Sequence, residues 1–123
     1  MPLLIDPAAT IEELQVRLRR EPALHAPHLL DVEVANALRR RILGGGLSVA
    51  HARRALRRLA VLPLVRWPHD RLLGRTLALR DRLSAYDATY VALAEHLECS
   101  LLTADGRLGR APGIHCPITV IPH

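Results

Sequence analysis

Three acidic side chains occupy places where their sequence surroundings do not favour acids. Glu33 lies three residues after Leu30 and four before Ala37, inside the apolar stripe of HLLDVEVANALRRRIL rather than on its arginine-rich side. Asp87 aligns with Val91 and Ala94 in YDATYVALA, a stretch so apolar on all sides that it predicts a central, well-buried helix. Asp105 follows the apolar run LLT directly, in Thr103-Ala104-Asp105-Gly106-Arg107. A charge in any of these places needs a partner. Converging carboxylates repel one another and are costly to bury, so a cluster of them is stable chiefly around a divalent cation. Oxygen donors suit magnesium, with manganese as the alternative. A cation held this way can orient a water, help deprotonate it and stabilise charge on an attacked phosphodiester, which is nuclease chemistry.

Each acid also has a plainer explanation. Glu33 in an early helical turn answers the macrodipole, Ser84-x-x-Asp87 fits a capping box, and Asp105-Gly106 is a common turn pair. Taken singly, these explanations are preferred. They weaken once the acids are set on the elements that carry them.

Those elements alternate between helix and short apolar strand. The stretch from Pro7 to Arg20 has apolar Ile11, Leu14, Val16 and Leu18, with acids early and arginines late, and reads as a helix. Ala23–Ala26 is a candidate strand, and Pro27 opens a helix whose Leu30, Val34, Ala37, Leu38 and Ile42 share a face, ending at Gly44-Gly45-Gly46. Ser48 is a candidate N-cap for a second helix, followed by the strand-like PLVRWP. His69 to Leu83 predicts another helix and Ser84 to Leu97 a further one. CSLLT then reads as a buried strand, ADGRLGR as a turn with a short helix, and PITVIP as a last strand. Alternation without hairpin signals predicts an α/β sandwich around a mainly parallel sheet, whose sites form beyond the carboxyl ends of the strands. Asp105 falls at such an end.

The 123 residues amount to one domain, read as 1–123. All 17 basic residues are arginine, and the net charge of +5 permits a polyanionic partner. The arginine pairs and triplets of the early helices could bind phosphates or an acidic segment, but are read mainly as solvated helix faces. The aromatics are Trp67, Tyr86 and Tyr90, too few for stacking platforms, so any RNA would be held by its backbone. No apolar run is long enough for a membrane span and the start has no basic leader, which leads to a cytoplasmic expectation. His96-x-x-Cys99 with His115-Cys116 matches no regular zinc spacing, and both cysteines read better as core.

The segments HAPHLLDVEVANALRRR, SAYDATYVALAE and LLTADGRLGRAPG resemble the three signature regions of VapC-type PIN-domain toxins, in the usual order and separation, over nearly all of the chain after Leu24. The resemblance implies a PIN-like three-layer α/β/α sandwich and a magnesium-dependent endoribonuclease. It makes Glu33 the second of the family's four acids, Asp87 the third and Asp105 the fourth. Thr103 falls where the family often has a hydroxyl, and Asn36 where it commonly has asparagine. The implied partners are a VapB-type antitoxin masking the acidic site, RNA as substrate, and a second copy in a homodimer.

The opening PLLIDPAAT departs from the pattern, and two alignments are open. In one, Pro2–Ile5 is the family's first strand and Asp6 its first acid. In the other, LLIDPAA matches the end of the first helix, so that strand and acid precede Met1; spacing slightly favours this second alignment, in which the first strand is missing. The corresponding alternative function is an inactive, antitoxin-binding PIN domain. A helix-turn-helix DNA-binding protein, suggested by the helices around GGGLS, is disfavoured by the later strands and the inward acids.

Overall fold

Apolar runs of three or four residues bounded by proline or polar residues are extended in this chain, and apolar residues recurring every three or four are helical. A computed structural model describes residues 3–5, 16, 24–103 and 106–120. Among them the strands are β1 (Leu3–Ile5), β2 (Leu24–Pro27), β3 (Leu64–Trp67), β4 (Ser100–Thr103) and β5 (Ile118–Val120). The helices are α1 (Leu29–Leu43), α2 (Val49–Val61), α3 (Leu73–Ala78) and α4 (Ala85–Leu97), with 3-10 turns at Asp70–Leu72 and Leu108–Arg110. The predicted helix over Pro7–Arg20 lies outside the described residues, apart from Val16, which is helical.

Every strand pairing is parallel and the order is β3-β2-β1-β4-β5. The centre is therefore β1, with Leu3 in register with Leu24 on one side and Ser100 on the other. This overturns the alignment in which LLIDPAA ends a helix and the first strand is missing. The backbone of Leu3–Ile5 serves two neighbours at once. A continuous apolar run such as LLI suits the centre of a parallel sheet better than an alternating one. The chain winds outward through β2 to β3, then crosses to β4 and β5 on the other side of β1, so the winding reverses between β1 and β4. In open parallel sheets the crevice forms at this switch point, beyond the carboxyl ends of the strands.

Helix α1 stops at Gly44, with Gly45 at φ +81°, a conformation that favours glycine. Ser48 caps α2 as its sequence suggests, accepting the His51 N–H at 3.1 Å. The helix predicted over His69–Leu83 is instead a 3-10 turn, the short α3, and a tight descent. The Leu79 N–H is shared between the Arg75 and Thr76 carbonyls, and Arg80 and Arg82 bond back three residues, which tightens the chain out of the α-helix and drives Leu79 fully into the core.

Helix α4 is the centre of the packing. Ser84 caps it, its Oγ accepting the Asp87 N–H at 3.2 Å, and every residue from Ala88 to Ala94 is buried. It packs on β1, β2 and β4 and against α3. Leu24, Leu30, Leu79, Tyr90, Leu93, Leu101 and Leu102 form the core with Cys99, and Cys116 packs against it, as their sequence setting suggested. No described helix is long and apolar enough to cross a membrane.

Candidate active site at the carboxyl edge of the sheet

Helix α1 begins immediately beyond the carboxyl end of β2, which puts Glu33, in its second turn, near the edge where the crevice forms. Glu33 is half-buried. The hydroxyl of the buried Tyr90 donates to its Oε1 at 2.8 Å. Tyr90 lies three residues after Asp87 on α4, so this bond ties together the two helices that carry the acids. Asp87 itself corrects the sequence reading: it is exposed, not buried. The apolar stretch around it is indeed central, but Asp87 stands in the first helical turn, where the chain is still at the rim.

Asp87 borders an open cavity of about 230 Å³ together with Arg82, Leu83 and Ser84 from the approach to α4, and Arg107, Leu108 and Ala111 from the crossover after β4. Sharing a cavity with residues that leave the carboxyl end of β4 puts Asp87 on the same edge. Thr103 closes β4 and is completely buried, and Asn36 is exposed on α1 one turn beyond Glu33. Glu33, Asp87, Thr103 and Arg107 all have bonded partners. Asp6 and Asp105 lie outside the described residues; in sequence they follow Ile5 of β1 directly and Thr103 of β4 by two positions. Among the described residues no group of three or more His, Cys, Asp or Glu forms a metal site. The two described acids offer carboxylate oxygens, the donor type that fits a hard divalent cation.

Three polar pairs elsewhere escaped the sequence reading because their partners are far apart along the chain. Arg66 grips Asp31 through both carboxylate oxygens at 2.8 and 3.1 Å and also reaches the Leu59 carbonyl. Trp67 Nε1 donates to His25 Nδ1 at 2.9 Å, and burial lowers the His25 pKa, favouring the neutral ring that can accept this bond. Arg75 binds Glu95 in the same two-pronged way at 2.7 and 3.0 Å and donates to the Gly113 carbonyl at 2.8 Å. Glu95 also accepts the His115 N–H at 2.7 Å. Burial alone would raise the Glu95 carboxyl, but the guanidinium and this N–H outweigh it and hold the pKa below the ordinary value. Beside them, burial pushes the Cys116 thiol up to about 11.

Residues 4–114 match the PIN domain family. This chain belongs to the PIN-domain family. The PIN domain is 47% identical over 116 residues to VapC ribonuclease Mb0985 of Mycobacterium bovis, covering 94% of this chain and 91% of that protein. It is 42% identical over 128 residues to ribonuclease VapC1 of Mycobacterium tuberculosis, with 96% of each chain covered. These likenesses make it a VapC-type PIN domain. Its fold is also similar to that of PAE2754 from Pyrobaculum aerophilum, with a TM-score of 0.69 and 26% identity over 96% of this chain and 83% of that one. The α/β sandwich and the VapC resemblance read from the three sequence segments both hold, and the helix-turn-helix alternative falls away.

Proposed function

We propose that this PIN domain, read as one domain over residues 1–123, is a divalent-metal-dependent endoribonuclease toxin. Glu33, Asp87 and Asp105, joined by Asp6, are the carboxylates that hold the cation, magnesium or manganese. The bound cation supplies activation of water and stabilisation of charge on the phosphodiester. Asp87 is accessible from the cavity at the rim, whereas Glu33 is oriented from behind by Tyr90. Thr103 and Asn36 supply a hydroxyl and an amide at the same edge, able to fix a carboxylate or a water by hydrogen bonding.

The observation that carries this reading is the Tyr90–Glu33 bond, which joins the helices of Glu33 and Asp87 on the edge that Asp6 and Asp105 follow in sequence. Similarity to proteins named ribonucleases supports RNA as the substrate. By the same resemblance, a VapB-type antitoxin masks the acidic edge, the protein is a homodimer, and it works in the cytoplasm.

The test is cleavage of a structured RNA with magnesium or with EDTA, comparing the chain with Asp87→Asn, which leaves the backbone N–H on Ser84 intact. Wild type should cut only with metal, and the variant should lose about 100-fold or more of the rate, as befits loss of a ligand to a cation that activates water. Magnesium should raise the melting temperature of wild type more than that of the variant. Cutting that is indifferent to EDTA, or equal in the variant, sinks the proposal.

A further inference from the structure

The cavity beside Asp87 is lined by two arginines and one carboxylate, from segments on either side of the crevice: Arg82 in the approach to α4, Arg107 after β4, and Asp87 itself. Two arginines and one aspartate among the lining residues leave a net positive surround, which favours an anion over a cation there. Arg107 already has a bonded partner. Among the described residues, Arg82 has no ion pair.

Arg82 is nevertheless not a loose surface side chain. A Cβ added to Gly113 would lie 2.7 Å from its Nη1, 3.0 Å from its Cζ and 3.4 Å from its Nε, so the guanidinium lies against a backbone that only glycine leaves bare. Gly113 has φ +80°, which favours glycine independently. Its carbonyl is pinned by Arg75, which Glu95 holds by both oxygens, and Glu95 grips the His115 N–H two residues on. The chain of contacts from Glu95 through Arg75 and Gly113 restricts where the Arg82 guanidinium can go. A donor fork restricted in advance loses less freedom when it binds, and its planar geometry matches phosphate oxygens.

We infer that Arg82 is a substrate-binding residue whose guanidinium, braced on Gly113, takes a backbone phosphate of RNA in the cavity beside Asp87. Arg107 faces the same phosphate from the crossover. The inference rests on RNA being the substrate proposed above, and it assigns the phosphate neighbouring the one cut, because the cavity lies beside the acid rather than among all four.

The test separates binding from cutting. Affinity of a fluorescein-labelled single-stranded RNA is measured by anisotropy in EDTA across a series of salt concentrations, for wild type, Arg82→Ala and Arg82→Lys; cleavage with magnesium is measured separately. Arg82→Ala should weaken binding about tenfold and make the plot of log affinity against log salt shallower by about 0.7, the loss of one phosphate contact on a single strand. Arg82→Lys keeps the charge and should keep the slope. In cleavage, Arg82→Ala should raise KM with kcat within about twofold, the mark of lost uniform binding. Wild type that fails to bind RNA, or an Arg82→Ala variant with unchanged affinity and slope, overturns the inference. So does a variant that loses affinity only for an acidic peptide. An unchanged slope in an enzyme that still cuts RNA overturns the phosphate contact alone, whereas a shallower slope in a protein that binds without cutting overturns only the nuclease reading.

Discussion

Glu33 is held by a donor that cannot be seen from its own helix. Tyr90 is buried and its hydroxyl donates to Glu33 Oε1, which fixes that side of the carboxylate from the core. Outer partners of this kind orient a ligand and tune its basicity. Tyr90→Phe keeps the ring in the core and removes only the donor. It should cost about 1 kcal/mol in urea denaturation, and about tenfold more magnesium should be needed for half-maximal cleavage. An unchanged magnesium requirement would show that Tyr90 is structural only. Glu33 was legible as an acid on an apolar stripe, but Tyr90, 57 residues away, gives no local sign of pairing with it. Asp87 was misjudged for a related reason. Periodicity identifies a face of a helix and not the turn in which a residue stands, and in the first turn even a buried face opens to solvent.

Helix α4 has a cap that its sequence announces and an end that it does not. Ser84 is a recognisable N-cap, and it engages the Asp87 N–H. At the other end Glu98 adopts φ 52°, ψ 46°, the left-handed conformation, in a place where glycine is usual. A non-glycine residue there is strained by roughly 1–2 kcal/mol. Glu98→Gly should therefore stabilise the protein by about 1 kcal/mol, read as a higher urea midpoint at unchanged slope; a lower midpoint would mean that the Glu98 side chain contributes more than its backbone costs. The strands were legible as short apolar runs, and β2, predicted over Ala23–Ala26, spans Leu24–Pro27 among the described residues, one residue further than predicted. The descent after α3 was not legible. His69–Leu83 has a helical apolar pattern, and only the pull of Leu79 into the core, with its shared N–H bond, shows why the helix stops at Ala78.

On the scale of the whole molecule, the Arg75–Glu95 pair joins α3, α4 and the crossover between β4 and β5. Because the folded state holds the Glu95 carboxyl below its ordinary pKa, it takes up a proton less readily than the unfolded chain. The stability this contributes is present in full above the ordinary carboxylate range and is lost as pH falls through the lowered value. In thermal denaturation from about pH 7 down to about pH 3, Glu95→Gln should melt lower than wild type at neutral pH, and the gap should narrow with acid. A gap independent of pH would show that the charge of Glu95 is not what holds the crossover. The general architecture was readable because helix and strand alternate, whereas this clamp was not, since it pairs residues 20 apart on different elements.

The three residues of β1 have a consequence for how the protein comes into being. Leu3–Ile5 leave the ribosome long before one of their two neighbours, Ser100–Leu102. Chains are completed at about 5–20 residues per second, so for seconds the central strand has at most one side paired. The edge between β1 and β4 cannot close until Ser100–Leu102 have been made. For a protein proposed to cut RNA, the order of synthesis thus works as a delay: a growing chain in which β4 is still unmade has no assembled crevice with which to attack its own message.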